Sequence, residues 1–149
     1  MASSWGSSFG SAWGNSWGLS APITDTVARP NGDQSNTGWL ASAGGALWPM
    51  VDEVTPDAGD YIYATTLGSV CQMGMNTTVY PGTALQKIKF RASSSTGNSV
   101  IFALKDGATT IKSITQALTP TDSEYSVTLS AAEIAAITSG TLSVQLTAA

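Results

Sequence analysis

Four segments of this chain alternate apolar and polar residues with a period of two, and that period leaves little choice of fold. In Leu85–Ser93, Ile88, Phe90 and Ala92 alternate with Lys87, Lys89 and Arg91. Val100, Phe102 and Leu104 repeat the pattern, as do Tyr125, Val127 and Leu129, and then Leu142, Val144 and Leu146. Successive side chains of a strand point to opposite faces, so each segment reads as a strand with one dry face and one wet face. Turn chemistry separates them: the polar run Ser94–Asn98, then Asp106-Gly107, a strong hairpin signal. Thr109–Ala117, rich in Thr and Ile, reads as the partner strand after that hairpin.

Upstream, Tyr61–Ala64 and Ser69–Met75 read as strands and Tyr80–Thr83 as a turn. Ala46–Val51 also reads as a strand, with Pro49 marking it as an edge or bulge. Ser130 and Glu133 have capping-box spacing, which predicts one or two helical turns over Ser130–Ile137. About eight short strands at regular spacing predict an all-β fold, a sandwich or jelly roll with one short helix.

The first 22 residues follow a different rule. They repeat a four-residue unit, Ser4-Trp5-Gly6-Ser7, Ser8-Phe9-Gly10-Ser11, Ala12-Trp13-Gly14-Asn15 and Ser16-Trp17-Gly18, with no charged side chain before Asp25. Glycine in every unit opposes a helix by about 1 kcal/mol each relative to alanine. In an extended chain, Trp5, Phe9, Trp13 and Trp17 share one face, and Gly6, Gly10, Gly14 and Gly18 flatten the other. Ordering a backbone costs about 1–2 kcal/mol per residue. Four aromatics cannot offset that without a surface to bury them. The segment therefore reads as a partner-binding arm that orders only against another protein, as in strand addition. Idle linkers avoid regularly spaced Trp, and RNA-binding tails interleave aromatics with arginine, which is absent here. The predicted organisation is an arm over 1–22, a linker over 23–36 with Pro30 and Asn31-Gly32 as its turn signals, and a sandwich over 37–149.

Composition narrows the function. The chain has 149 residues, enough for one domain and an appendage. Charged residues make up 11% and the net charge is −4, which argues against a grip on nucleic acid. The absence of histidine removes Ser/His/Asp and Cys/His triads and most zinc sites, and no cofactor is expected. The single cysteine, Cys71, forms no internal disulfide and reads as a small apolar strand residue. No basic-plus-apolar leader and no apolar span of membrane length stands out, so the expectation is a chain that stays in a cytoplasm until it is assembled, with no membrane partner.

Several clusters remain open on the sequence. Asp52, Glu53, Asp57 and Asp60 form an acidic loop, either solvated or a calcium site, although their spacing is not that of an EF-hand. The same carboxylates lack any cleft that would make them a glycosidase pair. Trp39 and Trp48 belong either to the core or an interface, or to a sugar-stacking platform. Lys87, Lys89 and Arg91 form a basic stripe, either a solvated strand face or a contact to an acidic neighbour.

The stretch Gly38-Trp39-Leu40, Ala46-Leu47-Trp48, Val51-Asp52-Glu53 and Asp60-Tyr61-Ile62 resembles the opening of a jelly-roll module common in tailed-phage structural proteins. Lys87–Ala92 and the hairpin Ala103–Gly107 are similar to its continuation, and the Trp-Gly-Ser arm resembles the N-termini of small virion proteins. The module is also similar to carbohydrate-binding sandwiches. The resemblance implies a non-enzymatic virion protein, a capsid decoration or cement protein first. Its partners would be the major capsid protein or other virion subunits, with homo-oligomer formation. The alternatives are a tail or neck adaptor that attaches fibres, and a carbohydrate-binding adhesion module.

Overall fold

The computed structural model describes residues 27–52, 58–76, 86–138 and 140–149. Nine strands are described: β1 (Pro30–Thr37), β2 (Trp39–Ala41), β3 (Ile62–Ala64), β4 (Val70–Met75), β5 (Lys87–Ala92), β6 (Ser99–Asp106), β7 (Thr109–Ala117), β8 (Ser123–Thr128) and β9 (Leu142–Ala148). A 3₁₀ turn, Trp48–Met50, follows β2, and a short helix, α1 (Ala131–Ala135), follows β8. The pairing is antiparallel throughout: a five-stranded sheet ordered β1-β4-β9-β6-β7 and two ribbons, β2-β3 and β5-β8.

The pairs nest. β6 hairpins onto β7, β5 pairs β8 around that hairpin, and β4 pairs β9 around both. Joining β9 to β6 completes one sheet and leaves β5-β8 in the other. This is the rolled-up double hairpin of a jelly roll, with three nested pairs, since Asp106–Thr109 closes the innermost loop directly. Gly107 turns that hairpin at φ 58, the left-handed backbone that the Asp-Gly pair predicts.

The sequence alternation becomes layers. Cys71, Leu146, Phe102 and Ile114 lie in register across β4, β9, β6 and β7, and Met73, Val144 and Leu104 form the next row. Leu47, Trp39, Ile88 and Leu129 cover them from the other side, completing one core. Phe90 of β5 stacks on Phe102 at 5.2 Å between ring centroids and on Tyr125 at 5.4 Å, tying the β5-β8 ribbon to the large sheet. The opposite face of that sheet is polar: Gln72 Nε2 donates to Gln34 Oε1 at 2.8 Å and to Ser143 Oγ at 2.9 Å, and Lys105 Nζ donates to Gln145 at 3.3 Å.

The row through Met73 carries opposite charges at its two ends. Asp33 on β1 faces Met73, and Lys112 on β7 faces Leu104. The Asp33 carboxylate accepts the backbone N–H groups of Leu47 at 2.7 Å and Trp48 at 2.9 Å, capping the 3₁₀ turn. Lys112 Nζ meets Glu133 Oε1 at 2.8 Å and pins α1. Each edge strand thus holds one crossing element over the core by a charged bond.

Two expectations change. Ala46–Val51 is a loop and a 3₁₀ turn rather than a strand, because the two N–H groups that open the turn bind Asp33 and Pro49 sits in its first turn. The stretch read as the end of the linker, from Pro30 onward, is β1, an edge strand paired to β4. Its polar sequence hid it: one edge of β1 bonds β4, and two register shifts bend it away from regular pairing. Residues 1–22 and the turn at 80–83 lie outside the described residues.

Candidate partner-binding surfaces

The arm residues Trp5, Gly6, Phe9, Gly10, Trp13, Gly14, Trp17 and Gly18 all lie outside the described residues, and so do Glu53 and Asp57 of the acidic loop. Asp52 and Asp60 are half-buried. Among the described residues, no three His, Cys, Asp or Glu side chains gather where a metal ion would need them.

The basic stripe is where the alternation puts it, on the outer face of β5, with Lys87, Lys89 and Arg91 exposed. Its acidic neighbours are in the same chain. Lys89 pairs with Glu124 at 3.2 Å, and the Arg91 guanidinium binds Asp122 through Nε, at 3.0 Å, and through an amino group. Antiparallel pairing sets Glu124 directly across from Arg91 and Ser126 across from Lys89, so the ion pair of Lys89 is a diagonal one. Only Lys87, opposite Thr128, has no ion pair among the described residues.

Trp39 is 9% exposed, and its indole N–H donates to the Ser69 carbonyl at 3.0 Å. Both the ring and its polar handle are consumed inside, so Trp39 cannot serve in a sugar-stacking platform. Trp48 is half-buried against the core edge. Cys71 is fully buried, and desolvation pushes its thiol up to about 12, against a weaker opposing bond from the Leu146 backbone. That keeps it protonated and unreactive near neutral pH. Glu133 moves the other way, down to about 2, first because Lys112 bonds its carboxylate and then because the Ser130 N–H does. The capping box expected from Ser130 and Glu133 is complete in both directions, at 2.7 and 3.3 Å.

One surface was not read from the sequence. The outer face of the β2-β3 ribbon presents Leu40, 48% exposed, with Tyr63 directly opposite and Tyr61 beside it, 52% exposed. The two tyrosine rings lie 6.0 Å apart at 50°. The signal was there: Tyr61-Ile62-Tyr63 alternates, and Ile62 faces the core, which forces both tyrosines outward.

The two edges of this ribbon differ. Ser42 N–H donates to the Tyr61 carbonyl at 2.9 Å, so by antiparallel alternation Leu40 and Tyr63 also exchange bonds. Trp39, Ala41, Ile62 and Ala64 therefore turn their backbone groups outward. On β2 three of the four are covered: the Asn36 side-chain amide accepts the Trp39 N–H at 2.9 Å and donates to its carbonyl at 2.8 Å, and Gly44 N–H bonds the Ala41 carbonyl at 3.0 Å, leaving the Ala41 N–H. On β3, the outward N–H and C=O groups of Ile62 and Ala64 have no partner among the described residues.

In comparisons with protein-family models, curated proteins and solved structures, nothing matches this chain.

Proposed function

We propose that this chain is a non-enzymatic structural protein of a tailed-phage particle, a jelly-roll module that decorates or cements the outside of the capsid. The single observation that carries the reading is the aromatic–glycine repeat ahead of a β-sandwich whose described residues form one core cluster. The described residues form a core cluster of their own, and the repeat makes Trp5, Phe9, Trp13 and Trp17 anchors for a partner. Laid on a neighbouring subunit, whether the major capsid protein or another virion component, they bury apolar area across a subunit boundary. The glycines that follow them permit close backbone approach. Many copies around a closed shell multiply weak contacts into a strong one. Lys87 and the ion-paired Lys89 and Arg91 offer a secondary, salt-sensitive contact.

Deleting residues 2–18 and co-sedimenting the product with assembled particles tests the reading. The expected outcome is loss of binding; undiminished binding removes the arm as the anchor. Copies per particle separate the shell role from a tail or neck adaptor: hundreds favour the shell, about a dozen or fewer favour a neck or tail, as the symmetry of each location requires. The adhesion alternative retains the half-exposed Trp48, and a glycan-array signal lost in Trp48→Ala would favour it.

A further inference from the structure

We infer that the partner of the arm includes this chain itself: one Trp-Gly unit from a second copy adds as a strand to the open edge of β3, with its aromatic packed on Tyr61 and Tyr63. The inference rests on reading the repeat as an anchor, and it names a receiving surface.

Three observations converge on that edge. The first is its asymmetry. The side-chain amide of Asn36 and the Gly44 N–H cover three of the four outward backbone groups of β2, whereas none of the four on β3, those of Ile62 and Ala64, has a partner among the described residues. An open strand edge is a template for another strand. The second is chemistry. Asp60 is the nearest charge in sequence, and Trp39–Ala41 and Tyr61–Ala64 contain none. Residues 2–18 are also uncharged. The other ribbon, β5-β8, displays Lys87, Lys89, Arg91 and Glu124, and an uncharged arm gains nothing there. The third is length. Tyr61–Ala64 is four residues long, the length of one repeat unit, and the tyrosine rings at 6.0 Å offer one aromatic site beside it.

A second copy fits better than the chain's own arm. The arm joins the domain at Val27, ahead of Pro30, which pairs with Met75, whereas β2 leaves β1 at the other end, beyond Thr37. That separation is about 23 Å of strand. Folding back would require ordering residues 19–26 along an edge strand that is polar, exposed and shifted twice in register. A neighbouring molecule delivers a unit without laying that segment along β1, at the entropic cost of association instead.

The test is self-association of the purified full chain, free of particles, followed by sedimentation velocity across a concentration series. The full chain is expected to associate reversibly. Deletion of residues 2–18, Tyr61→Lys with Tyr63→Lys, and Ala64→Pro, which removes an outward N–H while leaving the β2-β3 bonds intact, should each weaken association at least about tenfold. Cooperative thermal unfolding of each variant excludes misfolding. Mixing the arm-deleted chain with the double-lysine chain pairs an intact edge with an intact arm, and heterodimers are expected. A full chain that stays monomeric, association that survives the lysine pair, or a mixture that forms no heterodimers overturns the inference. None of those results touches co-sedimentation with capsids, so the particle reading stands or falls separately.

Discussion

The two ribbons that cover the large sheet are built alike and finished differently. Both are antiparallel pairs with an aromatic on the inner face, Phe90 in β5-β8 and Trp39 in β2-β3. Their outer faces diverge. β5-β8 carries charges that are largely satisfied in place by Glu124 and Asp122. β2-β3 carries Leu40, Tyr61 and Tyr63, which touch water, and a β3 edge with no backbone partner among the described residues. Inner faces answer to the core of this molecule. Outer faces show how far a surface is satisfied alone, and among the described residues β2-β3 is the less satisfied of the two ribbons.

If the inner faces are equivalent, truncation should cost the same in both layers. Phe90→Ala removes the ring that stacks on Phe102 and Tyr125, and Trp39→Ala removes a buried indole together with its bond to Ser69. Each should destabilise the domain by about 3–5 kcal/mol in chemical denaturation. A loss below about 1 kcal/mol for Trp39→Ala would break the comparison, because β2-β3 would then be a loose flap rather than part of the core.

Most of the shared inner-face design was legible in the sequence, because period two encodes burial directly. Ile88, Phe90 and Ala92 against Lys87, Lys89 and Arg91 predicted both the strand and the exposed stripe. β1 was not legible: an edge strand with two register shifts needs no apolar alternation, so Asn31-Gly32 read as a turn. The 3₁₀ turn was hidden because its start depends on Asp33, 14 residues away from Leu47. The neutralisation of the basic stripe was hidden for the same reason, since Lys89 and Glu124 are 35 positions apart. The receiving face of β2-β3 was half legible. Tyr-Ile-Tyr gives the alternation, but which side faces water depends on Trp39 being inside.

The charged side of the molecule contains its own contrast. Lys112 and Glu133 are about a quarter and a fifth exposed, and Glu133 also closes the capping box. Its carboxyl lies lower in the folded chain, at about 2, than the ordinary 4.5. The unfolded chain therefore takes up the proton first as pH falls. The stabilisation is complete above about 4.5 and is lost progressively down to about 2. Glu133→Gln should remove that part of the acid dependence, and acid titrations of the two proteins should converge toward pH 2. Parallel titration curves would mean that the carboxylate does no more than an amide at the same cap.

The smallest effect belongs to the stripe. Lys89 and Glu124 are 60% and 54% exposed, and Arg91 and Asp122 are 45% and 54%. Water and salt screen such pairs, which contribute about 0–1 kcal/mol each. Lys89→Ala and Arg91→Ala should each shift denaturation by less than about 1 kcal/mol, and raising the salt concentration should shrink even that. Neither change should alter self-association if the arm of a second copy sits on β3. The lysine pair at Tyr61 and Tyr63 should do the opposite, with little change in stability and a large loss of association. Should Arg91→Ala also dissociate the protein, both ribbons would be contact surfaces, and the internal pairing of Arg91 with Asp122 would be a state that a partner exchanges rather than a finished face.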